Sequence, residues 1–257
     1  MILTSGETPD FVGMLTRLSG KNPFACRILS LYNSYDPDLA FVDYWMTADA
    51  HGVCSGAIAR NGSNFILLLT PESDLEEISS FMRVSGAAGI LLDGSYRLDF
   101  SGAETTGVLM KRTQAVVEEE SEVGCFVAPE IRDVYELIVK CAGEGFKPPA
   151  FEDFYVDVNH KLRHGAARLV GLSEGDRLAA AAMTVAECAG GAVLGAVACD
   201  PEYRRKGCGS AVVCRLVNAL TAENKTVFLH RAQNANAGFY NRLGFEECGT
   251  WREYSSQ

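Results

Sequence analysis

Apolar positions in the second half of the chain change period several times, and each change marks an element. Over residues 130–141, Val134, Leu137, Ile138 and Cys141 recur at helical spacing, and over 151–163 Phe151, Phe154, Val158 and Leu162 do the same. The pattern predicts two amphipathic helices, joined through Gly143, Gly145, Pro148 and Pro149. Strand-like runs follow at 167–172, 178–188 and 192–199. The turn signals Ser173-Glu174-Gly175-Asp176 and Gly190-Gly191 divide them, so an antiparallel meander is expected. Residues 207–222 place Val213, Leu216, Val217 and Leu220 on one face, the mark of a helix packed on a sheet. A strand at 226–231, a short helix at 236–243 stopped by Gly244, and a last strand at 245–254 complete the half.

The first half shows the start of the same order. Helices are expected at 10–18 and 24–32, strands at 41–47, 53–59 and 64–70, a helix at 75–84 and a strand at 89–93. A Ser73-x-x-Glu76 capping box opens the helix at 75. The third strands of the two halves start at residues 64 and 192. Ancient duplication and chance recurrence of a common α/β order both account for this. The acidic run Glu118-Glu119-Glu120-Ser121-Glu122 reads as a solvated linker, which divides the chain into residues 1–115 and 116–257.

Composition narrows the function. The 257 residues hold no apolar run near the ~20 needed to cross a bilayer, and the polar, acidic residues 1–10 do not resemble a secretory leader, so a cytoplasmic protein with no membrane partner is expected. Nine cysteines without a C-x-x-C pair suit reduced, buried thiols, and no zinc or other metal site is read. A net charge of -10 opposes binding to nucleic acid and favours cationic ligands such as amines.

One stretch departs from that acidity. After the strand ending in Val197, Ala198 and Cys199, the residues Asp200-Pro201-Glu202-Tyr203-Arg204-Arg205-Lys206-Gly207-Cys208-Gly209-Ser210 lead into a helix. Three cations and two glycines thus meet a helix N-terminus. Free N–H groups and the macrodipole favour an anion there, glycine admits close backbone approach, and Arg and Lys add charge-assisted hydrogen bonds. A diphosphate suits such a cradle. One strand further on comes Gln233-Asn234-Ala235-Asn236-Ala237-Gly238-Phe239-Tyr240-Asn241-Arg242-Leu243-Gly244-Phe245.

With both segments, residues 125–257 resemble the GCN5-related N-acetyltransferase (GNAT) superfamily. Its pyrophosphate motif Arg/Gln-x-x-Gly-x-Gly/Ala stands as Arg204 to Gly209, and its N-x-x-F-Y-x-x-L-G-F pattern as Asn236 to Phe245. Over residues 1–115 only the order of elements matches. The resemblance implies a GNAT fold with a mixed central sheet in the C-terminal half, preceded by a degenerate GNAT-like N-terminal half. It implies acetyl-CoA as cofactor and an amine as acceptor. By the same resemblance, pantetheine would pair with the backbone of Val197, Ala198 and Cys199, where an N–H would also polarise the thioester carbonyl. Residues 204–210 (Arg204, Arg205, Lys206, Gly207, Cys208, Gly209 and Ser210) would hold the pyrophosphate. Tyr240 matches the tyrosine that protonates the departing thiolate. Where many members carry a cofactor-contacting Asn, this chain has Gln233, with Asn234 and Asn236 beside it as alternatives. Cys199 and Cys208 replace aliphatic residues and read as small hydrophobes, since direct transfer needs no acyl-enzyme.

No general base stands out. Glu187, beside the Gly-Gly turn, reads as a solvated carboxylate, and His230 as a satisfied sheet residue. Asp157, His160 and His164 share a helix, with the two histidines on one solvated face. Acidic residues Glu72, Asp74, Glu76 and Glu77 surround the first half's corresponding helix N-terminus, where they would repel a diphosphate. A direct-transfer acetyltransferase and a non-catalytic acyl-CoA sensor both remain readings of this pattern. A nucleoside triphosphate loop is weaker, because no G-x-x-x-x-G-K-[ST] occurs. The sequence leaves the oligomeric state and the acceptor open.

Overall fold

The computed structural model describes every residue except 8–9, 50, 118–123, 144–147, 234 and 257. The acidic run and most of the predicted Gly/Pro link therefore lie outside the described residues. In chain order the first half holds β1 (Ile2–Thr4), α1 (Phe11–Leu18), α2 (Pro23–Ser34), β2 (Val42–Ala48), β3 (Cys54–Asn61), β4 (Asn64–Leu69), α3 (Leu75–Val84), β5 (Gly89–Asp93) and β6 (Ala103–Arg112). The second holds β7 (Cys125–Val127), α4 (Ile131–Cys141), α5 (Phe151–Arg163), β8 (Leu169–Glu174), β9 (Arg177–Glu187), β10 (Gly191–Cys199), α6 (Cys208–Ala222), β11 (Thr226–Ala232), α7 (Ala237–Arg242) and β12 (Glu246–Ser255). Apart from the extra α7, the two orders are the same.

All the strands join one mixed sheet in the order β1-β2-β3-β4-β5-β12-β6-β11-β10-β9-β8-β7. Replacing each strand of one half by its counterpart in the other returns the same list reversed, so the sheet has internal two-fold symmetry. The last strands are exchanged: β12 pairs with β5 of the first half, and β6 pairs with β11 of the second. β6 and β12 then pair with each other at the centre. Parallel pairing occurs between β4 and β5 and between β10 and β11.

Side-chain alternation assigns the faces. Ala192, Leu194 and Leu229 pack beneath α6, whereas Val193 and Phe228 pack with α1 and α2. Helix α2 bridges the halves, meeting Ala57, Ala59 and Leu68 on one side and Ala186, Val193 and Phe228 on the other. A helix packed from both sides should be apolar nearly all round, and α2 is: Phe24, Ala25, Cys26, Ile28, Leu29 and Leu31 are all buried. Pro23 opens it at a permitted position, and Asn22 caps it by accepting from the Phe24 and Ala25 amides.

The start of α3 corrects the expected capping box. Asp74 is the N-cap, and its carboxylate accepts from the amides of Glu76 (3.1 Å) and Glu77 (2.9 Å). Ser73 is drawn back instead, because its hydroxyl donates to the Ser55 carbonyl at 2.6 Å. Among the described residues no helix is long and apolar enough to cross a membrane.

Candidate functional site

Strand β10 outruns its pairing with β11. The parallel register spans Gly191↔Thr226 to Leu194↔Leu229 and stops, although β10 continues to Cys199 and β11 to Ala232. On the other side of β10 the register slips between Gly195 and Ala198, and Ala196 takes φ of 44°. An inserted residue bends a strand and re-aims it. Here the bend peels β10 away from β11 and leaves a splay whose apex is Gly195 and His230.

Beyond the splay the chain is held by ions. Asp200 accepts from the Glu202 amide to cap a 3-10 turn, Pro201–Tyr203, and pairs with Lys140 of α4 at 2.6 Å. The Lys140 hydrogen bond holds the Asp200 carboxyl below the usual carboxylate range. Arg204 Nε donates to the Cys199 carbonyl at 3.2 Å. Arg205 (φ 62°) and Gly207 (φ 81°) both adopt the left-handed region. For Arg205 this costs about 1–2 kcal/mol; Gly207 carries no such penalty. Gly207 is the N-cap of α6 and offers no side chain to the first amides, and the first turn holds no acidic residue. The N-cap thus brings no side chain to the positive end of the dipole, and the Gly209 amide faces the Cys199 thiol.

In front of it lies a cleft of about 520 Å³. Of the expected residues, Val197, Ala198, Cys199, Arg204, Arg205, Gly207, Gly209, Ser210, Asn236 and Tyr240 line it. Lys206 does not; its ammonium lies over the Tyr203 ring, 5.1 Å from the centroid. The Cys208 side chain is turned into the core beneath α6. Asn234 lies outside the described residues. Burial pushes the Cys199 thiol up to about 11, so it stays protonated near neutral pH. Tyr240 sits edge-on to Phe239 and Phe245, with centroids 5.0 and 5.7 Å away. Burial pushes its phenol up to about 12, which keeps the proton in place at physiological pH.

Three contributors escaped the sequence reading. Arg242 and Phe239 line the cleft from α7, and Cys141 from α4. Helical spacing offered a signal for the first two, since Phe239 lies three residues from Asn236 and Arg242 three from Phe239. Buried Arg231 acts from behind, donating to the carbonyls of Gln233 (2.8 Å) and Ala232 (3.1 Å) and pairing with Glu247 at 3.0 Å. It thereby fixes the turn that presents Asn236 and α7.

None of the candidate bases lines this cleft. Glu187 is buried rather than solvated, because Arg168 (2.7 Å) and Lys225 (2.6 Å) both bind its Oε1. It stands at the far end of β9, roughly 25 Å of strand from Cys199 at ~3.3 Å per residue. His230 is not satisfied: its Nε2 is buried without a partner. Burial and the nearby Arg27 charge push it well below the ordinary histidine value. His160 leaves the expected solvated face, stacking on Tyr35 at 4.3 Å with Nε2 against the Ser34 carbonyl at 2.6 Å. His164 stacks on His160, and Asp157 accepts from the Tyr35 hydroxyl at 2.9 Å. These three dock α5 onto α2.

Comparison with known proteins follows this geometry. Residues 169–255 match the family model described as FR47-like protein. None of the curated proteins matches the chain's sequence. Among solved structures, the tandem GNAT protein from the clavulanic acid biosynthesis pathway is similar over 100% of this chain and 98% of its own, at 13% identity and a TM-score of 0.59. The GCN5-related N-acetyltransferase from Sphaerobacter thermophilus covers 99% and 95%, at 13% identity and 0.63. A GCN5-related glucosamine N-acetyltransferase region of a fungal multi-domain β-N-acetylglucosaminidase covers 98% of this chain and 37% of that one, at 13% and 0.54. The chain thus has the GCN5-related N-acetyltransferase fold in two GNAT-like halves, the second of which contains the FR47-like match.

Proposed function

We propose that this protein transfers an acetyl group from acetyl-CoA to an amine by direct attack, with residues 116–257 as the working unit and residues 1–115 as a degenerate partner. One observation carries the reading: the uncapped N-terminus of α6, fronted by Arg204, Arg205 and Arg242, opens onto a strand splay with free backbone edges. The arrangement fits coenzyme A. The amides at 208–210, with the guanidinium groups, suit the diphosphate. An extended pantetheine then runs along Cys199, Ala198 and Val197 towards Gly195 in place of the missing β11 partner. Asn236, at the head of α7, is positioned to contact it from the side.

Acetyl-CoA supplies the activated thioester. The chain's residues orient it and manage charge. A backbone N–H of splayed β10 donates to the thioester carbonyl as negative charge develops there. Tyr240, neutral at working pH, gives its proton to the departing sulfur. The half-buried, protonated Cys199 takes no covalent part. The cysteines form no disulfide among the described residues, which suits a reducing compartment such as the cytoplasm.

A second reading is an acyl-CoA sensor without turnover. It is favoured by the cleft lining, which contains no Asp, Glu or His among the described residues. Calorimetry with CoA, followed by acetyl-CoA and a panel of amines with a free-thiol readout, separates the two. Binding with thiol release supports the enzyme, binding alone supports the sensor, and no binding removes both.

A further inference from the structure

A second cavity, of about 200 Å³, lies on the sheet face opposite α6. Its walls include Arg27 of α2, Lys161 of α5, Val185 of β9, Asn64 of β4 and Glu253 of β12. It meets the splay apex from behind. A β-carbon on Gly195 would come within 2.6 Å of Val185 Cγ1, so the two residues are in contact, and Gly195 is the first β10 residue past its pairing with β11. His230, the first such residue on β11, feels the Arg27 charge. An acyl group brought along β10 to this apex therefore borders the cavity.

The charges in the cavity are unevenly matched. Lys161 is answered by Asp157 at 2.8 Å. Arg27 has neither a hydrogen bond nor an ion pair among the described residues, and its Nε is buried without a partner. Glu253 shares the cavity and its charge favours the guanidinium, but burial raises the Glu253 carboxyl and no ion pair joins the two, so the buried Arg27 Nε is left without a hydrogen bond, at a cost. A carboxylate would repay it through charge-assisted hydrogen bonds, for which the guanidinium fork is suited. The volume equals that of roughly seven waters at their liquid density, room for one small molecule and not for a peptide segment.

We propose that this cavity is the acceptor site and admits an α-amino acid-sized acceptor, whose carboxylate Arg27 holds while the adjacent amine faces the splay apex. The proposal rests on the acetyl-CoA reading above. In the transfer the amine nitrogen bonds to the acyl carbon as the carbon–sulfur bond breaks, and the proton lost by nitrogen is balanced by the one gained by sulfur. The acidic surface draws in the amine end, and Arg27 selects for the acid end.

The test uses the full chain. Calorimetry first compares CoA binding by wild type and Arg27→Met, with unchanged affinity expected. Initial rates with acetyl-CoA then compare free amino acids with their C-terminal amides: glycine with glycinamide, and serine with serinamide. Wild type should favour the acids at least about tenfold in kcat/KM, the scale of one charge-assisted hydrogen bond. Arg27→Met should bring the ratio near one by raising KM for the acids, and Arg27→Lys should restore part of it. The melting temperature of Arg27→Met should change little, since Arg27 makes no hydrogen bond or ion pair among the described residues. Amides used as well as acids by wild type would overturn the proposal, as would a preference that survives in Arg27→Met. If CoA binds but nothing is turned over, amino acid binding to the CoA complex replaces the rate, and its absence overturns the proposal. Should Arg27→Met not fold, the wild-type ratio decides alone. A wild type that ignores CoA fails at the first step and takes the acetyl-CoA reading with it.

Discussion

Helices α3 and α6 occupy equivalent places in the two halves, each following a strand that runs parallel to its next neighbour, yet their N-termini carry opposite chemistry. At α3 the Asp74 carboxylate takes two of the first amides, Glu76 and Glu77 add charge, and the chain's own N-terminus pairs with Glu77 at 2.6 Å. At α6 the cap is glycine, the first turn has no acid, and guanidinium groups stand in front. One helix end holds its own anion; the other lacks one. Backbone topology makes both ends available, and a few side chains decide which is used for stability and which is left for a ligand.

The largest expected effect comes from closing the open end. At Gly209 a β-carbon would meet only ordinary contacts, Cys199 Cβ at 3.8 Å and the Phe239 ring at 3.9 Å, so Gly209→Val should fold. Its methyl groups would project into the cleft and block approach to several amides. Calorimetric CoA affinity should fall at least about hundredfold, the scale of two charge-assisted hydrogen bonds. Normal affinity in that variant would end the cradle assignment. Next comes Tyr240→Phe, expected to lower kcat about hundredfold with CoA affinity kept, in line with loss of a proton donor. Because the phenol is pushed up to about 12, the wild-type rate should show no loss from its ionisation between pH 7 and 10.

The α6 end was legible because its motif is local: cations, glycines and helix start lie within a few residues of one another. Helices and strands with strong period were equally readable, and α3 and β5 begin and end where the pattern places them. Strand β6 was not. Its first residues, Ala103-Glu104-Thr105-Thr106-Gly107, carry no apolar alternation, and they become strand because β12 pairs along them from Ala103 to Gly107. The exchange of last strands is likewise a tertiary event with no sequence marker. Glu187 was misread for a related reason. The turn beside it is local, whereas the two cations that bury it come from residues 168 and 225. Sequence also missed Arg27, whose cavity is assembled from α2, α5, β4, β9 and β12.

A smaller effect tests the closed end. Asp74→Ala removes the carboxylate from the α3 amides and should cost about 1 kcal/mol of stability, as helix N-caps commonly do. CoA affinity should not change. If Asp74→Ala weakened CoA binding while Gly209→Val spared it, the two helix ends would have to exchange roles.

The smallest expected effect sharpens the same contrast by acid titration, using charges that serve packing alone. At the far end of β9, Glu223 binds Arg168 at 2.6 Å and Lys225 at 2.9 Å. The Arg168 hydrogen bond foremost, and then that of Lys225, hold its carboxyl down to about 2. Since this lies below the unfolded value, the stabilisation is complete above the ordinary carboxylate range and is lost as pH falls from about 4 towards 2. Glu223 is 45% exposed, so solvent screening reduces the effect to below about 1 kcal/mol. Glu223→Gln should therefore melt slightly lower than wild type at pH 6 and match it near pH 2, while binding CoA normally. A melting difference that grew on acidification would mean that the ion pairs at this end do not stabilise the fold as their geometry implies.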